Sequence, residues 1–165
     1  MTQIEFLQDE KARDILIKWR KDLSRHTADR AELRRARNTL DIAQVGFFHL
    51  LIRWLREEGY EVTFYNREAL AVAAALVARI KTHSKSGRFA EQMSRKRKGS
   101  PIISKMRLRR ILAADDLEDL LKELSSAIRI MGERGNIIDL ADSVIHWGDR
   151  ARRNWLYSYH GNTII

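Results

Sequence analysis

Cysteine is absent from this 165-residue chain, and proline occurs once, at Pro101. Without cysteine there is no disulfide, no thiolate nucleophile and no cysteine-bearing zinc site, a composition that fits a reducing compartment. Long apolar runs are missing as well. The longest, Ala69 to Ala78, is rich in alanine and far short of the roughly 20 residues that cross a bilayer. The first residues, MTQIEFLQDEKARD, are acidic where a secretory leader is basic and then apolar. These absences lead to the expectation of a soluble, cytoplasmic protein with no membrane partner.

Catalytic signatures are also lacking. There is no GxxxxGK, no GxGxxG and no GxSxG, so neither a phosphate-cradling loop nor a hydrolase elbow is supported. The histidines, His26, His49, His83, His146 and His160, never pair four apart on one helix, and HExxH does not occur. Asp115, Asp116, Glu118 and Asp119 form a carboxylate cluster. They suit either a Mg²⁺ site or the first turn of a helix, whose dipole and free N–H groups favour acids. The helix start is the preferred reading, so no catalytic residue, no metal and no cofactor is expected.

Acid itself is nearly missing from one stretch. Between Lys81 and Arg110 there are eleven Lys/Arg against a single acid, Glu91, while the remainder holds twenty Lys/Arg and twenty-one Asp/Glu. The formal net charge of +9 is therefore concentrated rather than spread. Concentrated positive charge points to a polyanion partner.

What is present is helical periodicity. Hydrophobic residues make up 44% of the chain, enough to bury an interior. Apolar residues recur mostly three and four apart, and the best strand candidate, Tyr60 to Tyr65, is short and isolated. The pattern predicts an all-α fold of about eight to nine helices. The first runs near Asp9 to Leu23, with Ile15, Leu16, Trp19 and Leu23 on one face. A short one follows Thr27, read as its cap. A third spans Asp41 to Glu58 and stops at Gly59, and a fourth runs from about Asn66 through the alanine tract to Lys81. Its small side chains suit the centre of a bundle.

The texture then changes. THSKSGRFAEQMSRKRKGSP reads as a connection holding at most a short helix around Arg88 to Met93. The chain is thus read as an N-terminal helical bundle over 1–83, a basic mobile connection over 84–101, and a C-terminal helical bundle over 102–165. In the latter, Ser104 caps KMRLRRILA. Asp115 and Glu118 have capping-box spacing ahead of an apolar stripe from Leu117 to Met131. Gly148 bends or breaks the closing segment between Trp147 and Ala151.

Three basic constellations are candidates for nucleic acid. Arg95, Lys96, Arg97 and Lys98 form a run suited to tracking phosphates without regard to sequence, or simply to a solvated loop. Arg107 and Arg110 share an outward face beside Leu108, Ile111 and Leu112, where guanidinium groups can clamp phosphate oxygens. Arg30, Arg34 and Arg37 line one face with Arg35 beside them, although Asp29 and Glu32 leave a salt-bridged surface equally open. Trp19, Trp54, Trp147 and Trp155 fall in helical apolar patterns and read as core. Only Phe89 interleaves with the basic stretch, which argues against a base-stacking platform and for backbone contact.

These residues resemble the CasB family, the small subunit of the type I-E CRISPR interference complex called Cascade. MRLRRILAADDLEDLL is similar to the family's basic and double-apolar segment leading into an acid-started helix. LADSVIHWGDRARRNWLYSYH resembles its closing signature, and AELRRA followed by FFHLL resembles its early arginine pair and aromatic-aliphatic helix. The family often has Asp-Trp where this chain has Asn136-Ile137, and the loop from Ser84 to Pro101 aligns poorly. The resemblance places Arg34 and Arg35, Arg107 and Arg150 at family basic positions, and by gap placement Arg67 and Lys122 as well.

The resemblance implies an all-helical fold of two small bundles and a non-catalytic role. Two copies of such a subunit lie head to tail in Cascade, in contact with the other subunits. They support the guide RNA–DNA hybrid region and give the displaced DNA strand a basic path, stabilising the R-loop. Sequence is read there by base pairing, so backbone contact suffices. A stand-alone, sequence-tolerant DNA-binding or architectural protein is the alternative. Some of the aromatics Trp147, Trp155, Tyr157 and Tyr159 are expected to pack into the bundle and others, with Arg150, Arg152 and Arg153, to form a contact surface; the alternative is that all four are core and the arginines only solvate the helix.

Overall fold

The apolar stripes read from the sequence fold as helices that share one central element. A computed structural model of the chain describes residues 2–161. Met1 and residues 162–165, the end of the expected C-terminal bundle, lie outside the described residues. The fold is all-α, with ten helices and four two-residue strands among the described residues.

Helix α1 (Glu10–Leu23) begins where the Asp9 carboxylate accepts from the Lys11 and Ala12 amides, and it buries Ala12, Leu16, Trp19 and Leu23. Such a cap satisfies amides that have no partner inside the helix. Helix α2 (Thr27–Arg35) starts one residue before its expected position. Thr27 is already helical, and His26 occupies the cap position without a side-chain cap bond. The single helix expected over Asp41 to Glu58 is two, α3 (Thr39–Ala43) and α4 (Gly46–Glu57), with Val45 extended between them. That break lets Ile42, Val45, Phe48, Leu51 and Leu55 all reach the interior. Trp19 Nε1 donates to the Phe47 carbonyl at 2.8 Å, fixing α1 against the start of α4.

Helix α5 (Arg67–Arg79) is the axis. Every residue from Ala69 to Ala78 is buried. Its neighbours include α1, α2 and α3 from the N-terminal half, and α8 (Leu117–Ile130) and α9 (Ile137–Ile145) from the C-terminal half. The buried residues form one connected cluster. Strand β1 (Thr82–His83) leaves α5 and pairs in parallel with β4 (Arg134–Gly135), Thr82 opposite Arg134.

Residues 84–101 are more structured than a loose connection. Helix α6 (Phe89–Ser94) buries Phe89, Ala90, Gln92 and Met93 and packs against α10 (Asp149–His160). The Phe89 and Trp155 rings are 5.6 Å apart, and Gly135 leaves room for Phe89, since a Cβ there would sit 2.8 Å from the ring. Strands β2 (Lys96–Arg97) and β3 (Ser100–Pro101) then form a hairpin. Lys98 and Gly99, with φ of 55° and 84°, form the turn between them. Two successive positive φ values match the twist of hairpin strands. The chain continues into α7 (Lys105–Leu112), capped by Ser104 as the sequence suggested. The cap of α8 is Asp116, one residue after the expected Asp115. No helix among the described residues is long and apolar enough to cross a membrane.

Two outcomes follow from this packing. Ala75 is fully buried on the central helix, so Ala75→Leu forces neighbours apart and should lower stability by about 1–3 kcal/mol, read by thermal or urea unfolding. Tyr60 donates to Asp9 at 2.7 Å; burial first, and then that bond to the carboxylate, push its hydroxyl from 10.0 up to about 12. The folded state therefore holds this proton more tightly than the unfolded chain does. Stability from this source is complete below pH 10.0 and is lost as pH rises through about 12. The alkaline stability profile of Tyr60→Phe should fall less steeply over that window.

Candidate nucleic-acid interface

Of the eleven cations between Lys81 and Arg110, only Lys81 and Arg88 lie within 4.0 Å of a carboxylate among the described residues. The fold thus leaves most of this charge uncompensated.

The hairpin presents the first group. Lys96, Arg97 and Lys98 are exposed, and Arg97 reaches the Ile130 carbonyl at the end of α8 at 3.4 Å. Arg95 is different. Its guanidinium turns back to the Ser86 carbonyl and, at 3.3 Å, to the Ser86 hydroxyl, so it braces the loop before α6. Helix α7 carries the second group. Arg107 is half-buried and Arg110 exposed beside the Met106 sulfur, while Leu108 and Ile111 face the core. Packing thus fixes the helix, and the arginines project from a rigid base.

The third group gathers where α8 ends. Arg34, on α2, donates to Glu133 at 2.8 Å; Lys81 reaches the other Glu133 oxygen at 3.3 Å. Arg79 and Arg129 complete a small cavity with Arg34 and Glu133. Arg35 is exposed on the adjacent face. Helix C-termini favour cations because their last carbonyls are unpaired. Arg79 and Arg129 were not singled out from the sequence. Their signals are legible afterwards: Arg79 is the first charge after ten apolar residues, and Arg129 follows Lys122 by seven, on the same face of α8.

Not every candidate joins these groups. Arg67 begins α5, about 18 Å along the helix from Arg79, with its guanidinium 4.8 Å from the exposed Phe64 ring and 3.7 Å from Glu68. Lys122 is exposed on α8, about 10 Å from Arg129 along the axis. Arg150 lines a separate cavity of about 530 Å³ with Asp139, Asp142 and His146. Burial is the main cause raising the pKa of both aspartates.

Asp116 of the acid cluster and four of the histidines have structural partners. Asp116 caps α8 through the Asp119 amide at 2.8 Å. His26, His49, His83 and His146 each contact a backbone group, at 2.9, 2.6, 3.2 and 2.8 Å respectively. Among the described residues no group of three His, Cys, Asp or Glu side chains could hold a metal ion.

The comparisons with known proteins now bear on this geometry. The family model of the CRISPR-associated protein Cse2 matches residues 29–160, from α2 to the end of α10. The chain belongs to the Cse2 family. Family membership makes it a subunit of a CRISPR Cascade complex. The crystal structure of CasB from Thermus thermophilus superposes with a TM-score of 0.65 at 20% identity, covering 88% of this chain and 96% of that one. At that identity the likeness speaks to the fold. Among curated proteins, no sequence matches this chain significantly.

The closing segment of this Cse2-family chain corrects one expectation. Arg152 is not a free surface cation: it donates to the Leu112 carbonyl at 3.0 Å and the Ala114 carbonyl at 3.3 Å, capping the end of α7. It also lies 5.7 Å from the Trp147 ring. Trp155 and Tyr159 are buried, whereas Tyr157 is 76% exposed. Arg150 and Arg153 remain exposed, so the tail splits into a core-facing arginine and two outward ones.

Arg107→Ala with Arg110→Ala tests the outward face of α7. Neither side chain is held by a carboxylate among the described residues, so stability should change by no more than about 0.5 kcal/mol. Affinity for single-stranded DNA should fall. Loss of cooperative unfolding in the double variant would make these arginines structural instead.

Proposed function

We propose that this chain is the non-catalytic small subunit of a cytoplasmic type I-E Cascade, where it holds nucleic-acid backbone and stabilises the R-loop. The observation that carries this reading is the largely uncompensated charge from Lys85 to Arg110, with only Arg88 ion-paired among the described residues, displayed on a hairpin and a packed helix of a Cse2-family fold. Cations of that kind neutralise phosphates whatever the bases, which suits a complex in which the guide reads sequence by pairing. The displaced DNA strand and the guide RNA–DNA hybrid region are the two substrates. A second copy of the chain and the other Cascade subunits are its protein partners.

Within this proposal the candidates divide by setting. Lys96, Arg97, Lys98, Arg107 and Arg110 contact a strand on one side. Arg34, Arg35 and Lys122 contact it near α8. Arg67 and Arg150 stand apart, and are assigned to other phosphates or to subunit contacts. Arg95 acts through the loop it braces.

Affinity for random-sequence DNA should fall with salt, with a log–log slope of about −0.7 per phosphate contacted on single strands and about −0.9 on duplex. Cascade assembled without this chain should form a shorter-lived R-loop on a matched target. A flat salt dependence, or an R-loop indifferent to the subunit, would reject the reading.

A further inference from the structure

The cavity at the end of α8 holds more positive charge than its one acid can balance. Its volume is about 130 Å³, and Arg34, Arg79 and Arg129 line it with Ser125 and Glu133. Lys81 approaches the same carboxylate from outside. Four cations thus surround one anion. The cavity has room for about four waters, the scale of one tetrahedral oxyanion with some hydration.

The single acid is held in an unusual way. Glu133 has φ of +58°, a left-handed conformation that is strained for a side chain with a Cβ. Its backbone is fixed on both sides: its amide donates to Ile128 at 2.9 Å, and its carbonyl accepts from Lys81 at 2.8 Å and Thr82 at 3.2 Å. The preceding residue, Gly132, has φ of +74°, so this turn runs through two left-handed positions. The side chain is less confined than the backbone. Its oxygens meet only cations at the tips of long side chains, Arg34 at 2.8 Å and Lys81 at 3.3 Å.

The arginines differ in their commitments. Arg79 is anchored, donating to the Ala36 carbonyl at 2.8 Å and the Ala75 carbonyl at 3.2 Å. Burial first, and then the neighbouring charges of Arg34 and Arg129, lower its pKa to about 10. Arg129 is exposed, and its side chain has no hydrogen bond or ion pair among the described residues. Of the three arginines, Arg34 is the one tied to the carboxylate among the described residues. Displacing Glu133 by another anion would therefore leave an anchored, a free and a newly released guanidinium facing it.

We propose that this cavity is a seat for one phosphate oxyanion and that Glu133 is its resident placeholder, which swings out when the phosphate enters. Guanidinium groups bind phosphate oxygens bidentately, and Ser125 lines the wall with its hydroxyl donating to the Leu121 carbonyl, so the arginines supply the contacts. The occupant is a phosphodiester of a nucleic-acid backbone or a free phosphate. The first source rests on the function proposed above, and the second does not.

Glu133→Gln and Glu133→Gly both remove the carboxylate. The glutamine keeps a hydrogen-bonding side chain, while the glycine relieves the positive φ, so a folding defect in one does not decide the question. Inorganic phosphate, set against chloride at equal ionic strength, should raise the thermal midpoint of both variants at concentrations roughly five-fold lower than for the parent. Arg129→Gln should abolish that response. In parallel, both Glu133 variants should bind random single-stranded DNA roughly five-fold tighter, and a strand with a neutral methylphosphonate backbone should show no such gain. A response to phosphate alone identifies a free oxyanion as occupant; a response to DNA alone identifies the phosphodiester. If the parent binds no DNA, the proposed function fails while the phosphate arm still decides the cavity. If the Glu133 variants match the parent in both arms, the cavity is an ion-pair cluster and the proposal is overturned.

Discussion

A helix with ten consecutive buried positions can exist only if its neighbours come close on every side, and alanine is what permits that. Along α5 the run from Ala69 to Ala78 contains six alanines. Small side chains let interaxial distances approach the lower end of the usual 8–10 Å range. Leu70, Val72, Leu76 and Val77 fill the gaps that remain. Helix α5 joins the two halves of the chain: α1, α2 and α3 pack on it from the N-terminal half, α8 and α9 from the C-terminal half. Because the middle of the helix excludes charge, its arginines sit at its ends. Arg79 solves its own burial by donating to two carbonyls, and in doing so places a cation at the root of the α8 cavity.

The surface sorts charge by the same logic. Acids collect at one groove between α1 and α4, lined by Asp9, Glu10, Asp14, Glu57 and Glu58. Cations collect on the hairpin, on α7 and at the C-terminal end of α8. Partition of this kind costs self-repulsion within each patch. The hairpin is anchored at both ends. Arg97 meets α8, while Ile102 and Ile103 bond back to Arg95 and Met93, so the exposed cations of the turn are carried on a braced ribbon.

How much of this was legible depended on the range of the interaction. Periodicity found α1, α5, α8 and α10, because each has an apolar face that repeats through several turns. Ser104 was found because a cap is a local bond. The break at Val45 was not, since the segment reads as one continuous stripe and only the Trp19–Phe47 contact and the packing of Phe48 reveal two directions. The hairpin was missed for a related reason. Lys98-Gly99 is an unobtrusive turn signal inside a basic run that reads as loop, and the pairing partners Lys96 and Pro101 carry no strand pattern. Family resemblance singled out Arg34, and only tertiary structure brings Arg79, Arg129 and Glu133 beside it. Arg152 shows the reverse error: a basic tail looked like surface, yet its guanidinium finds the orphan carbonyls of another helix.

The placement of α5 also bears on how the chain is made. Synthesis delivers α5 long before α8 and α9, the elements that cover its second side. At about 5–20 residues per second, the interval between Arg79 and Ile145 is roughly 3 to 13 seconds. Until α8 is made, the nascent N-terminal half carries an alanine-rich helix without the two partners, α8 and α9, that pack on it from the C-terminal half. Folding of the first half is therefore tied to completion of the second. A ribosome that stalls between α5 and α8 therefore holds a chain in which the positions of α5 that α8 and α9 cover in the finished fold have not met their partners.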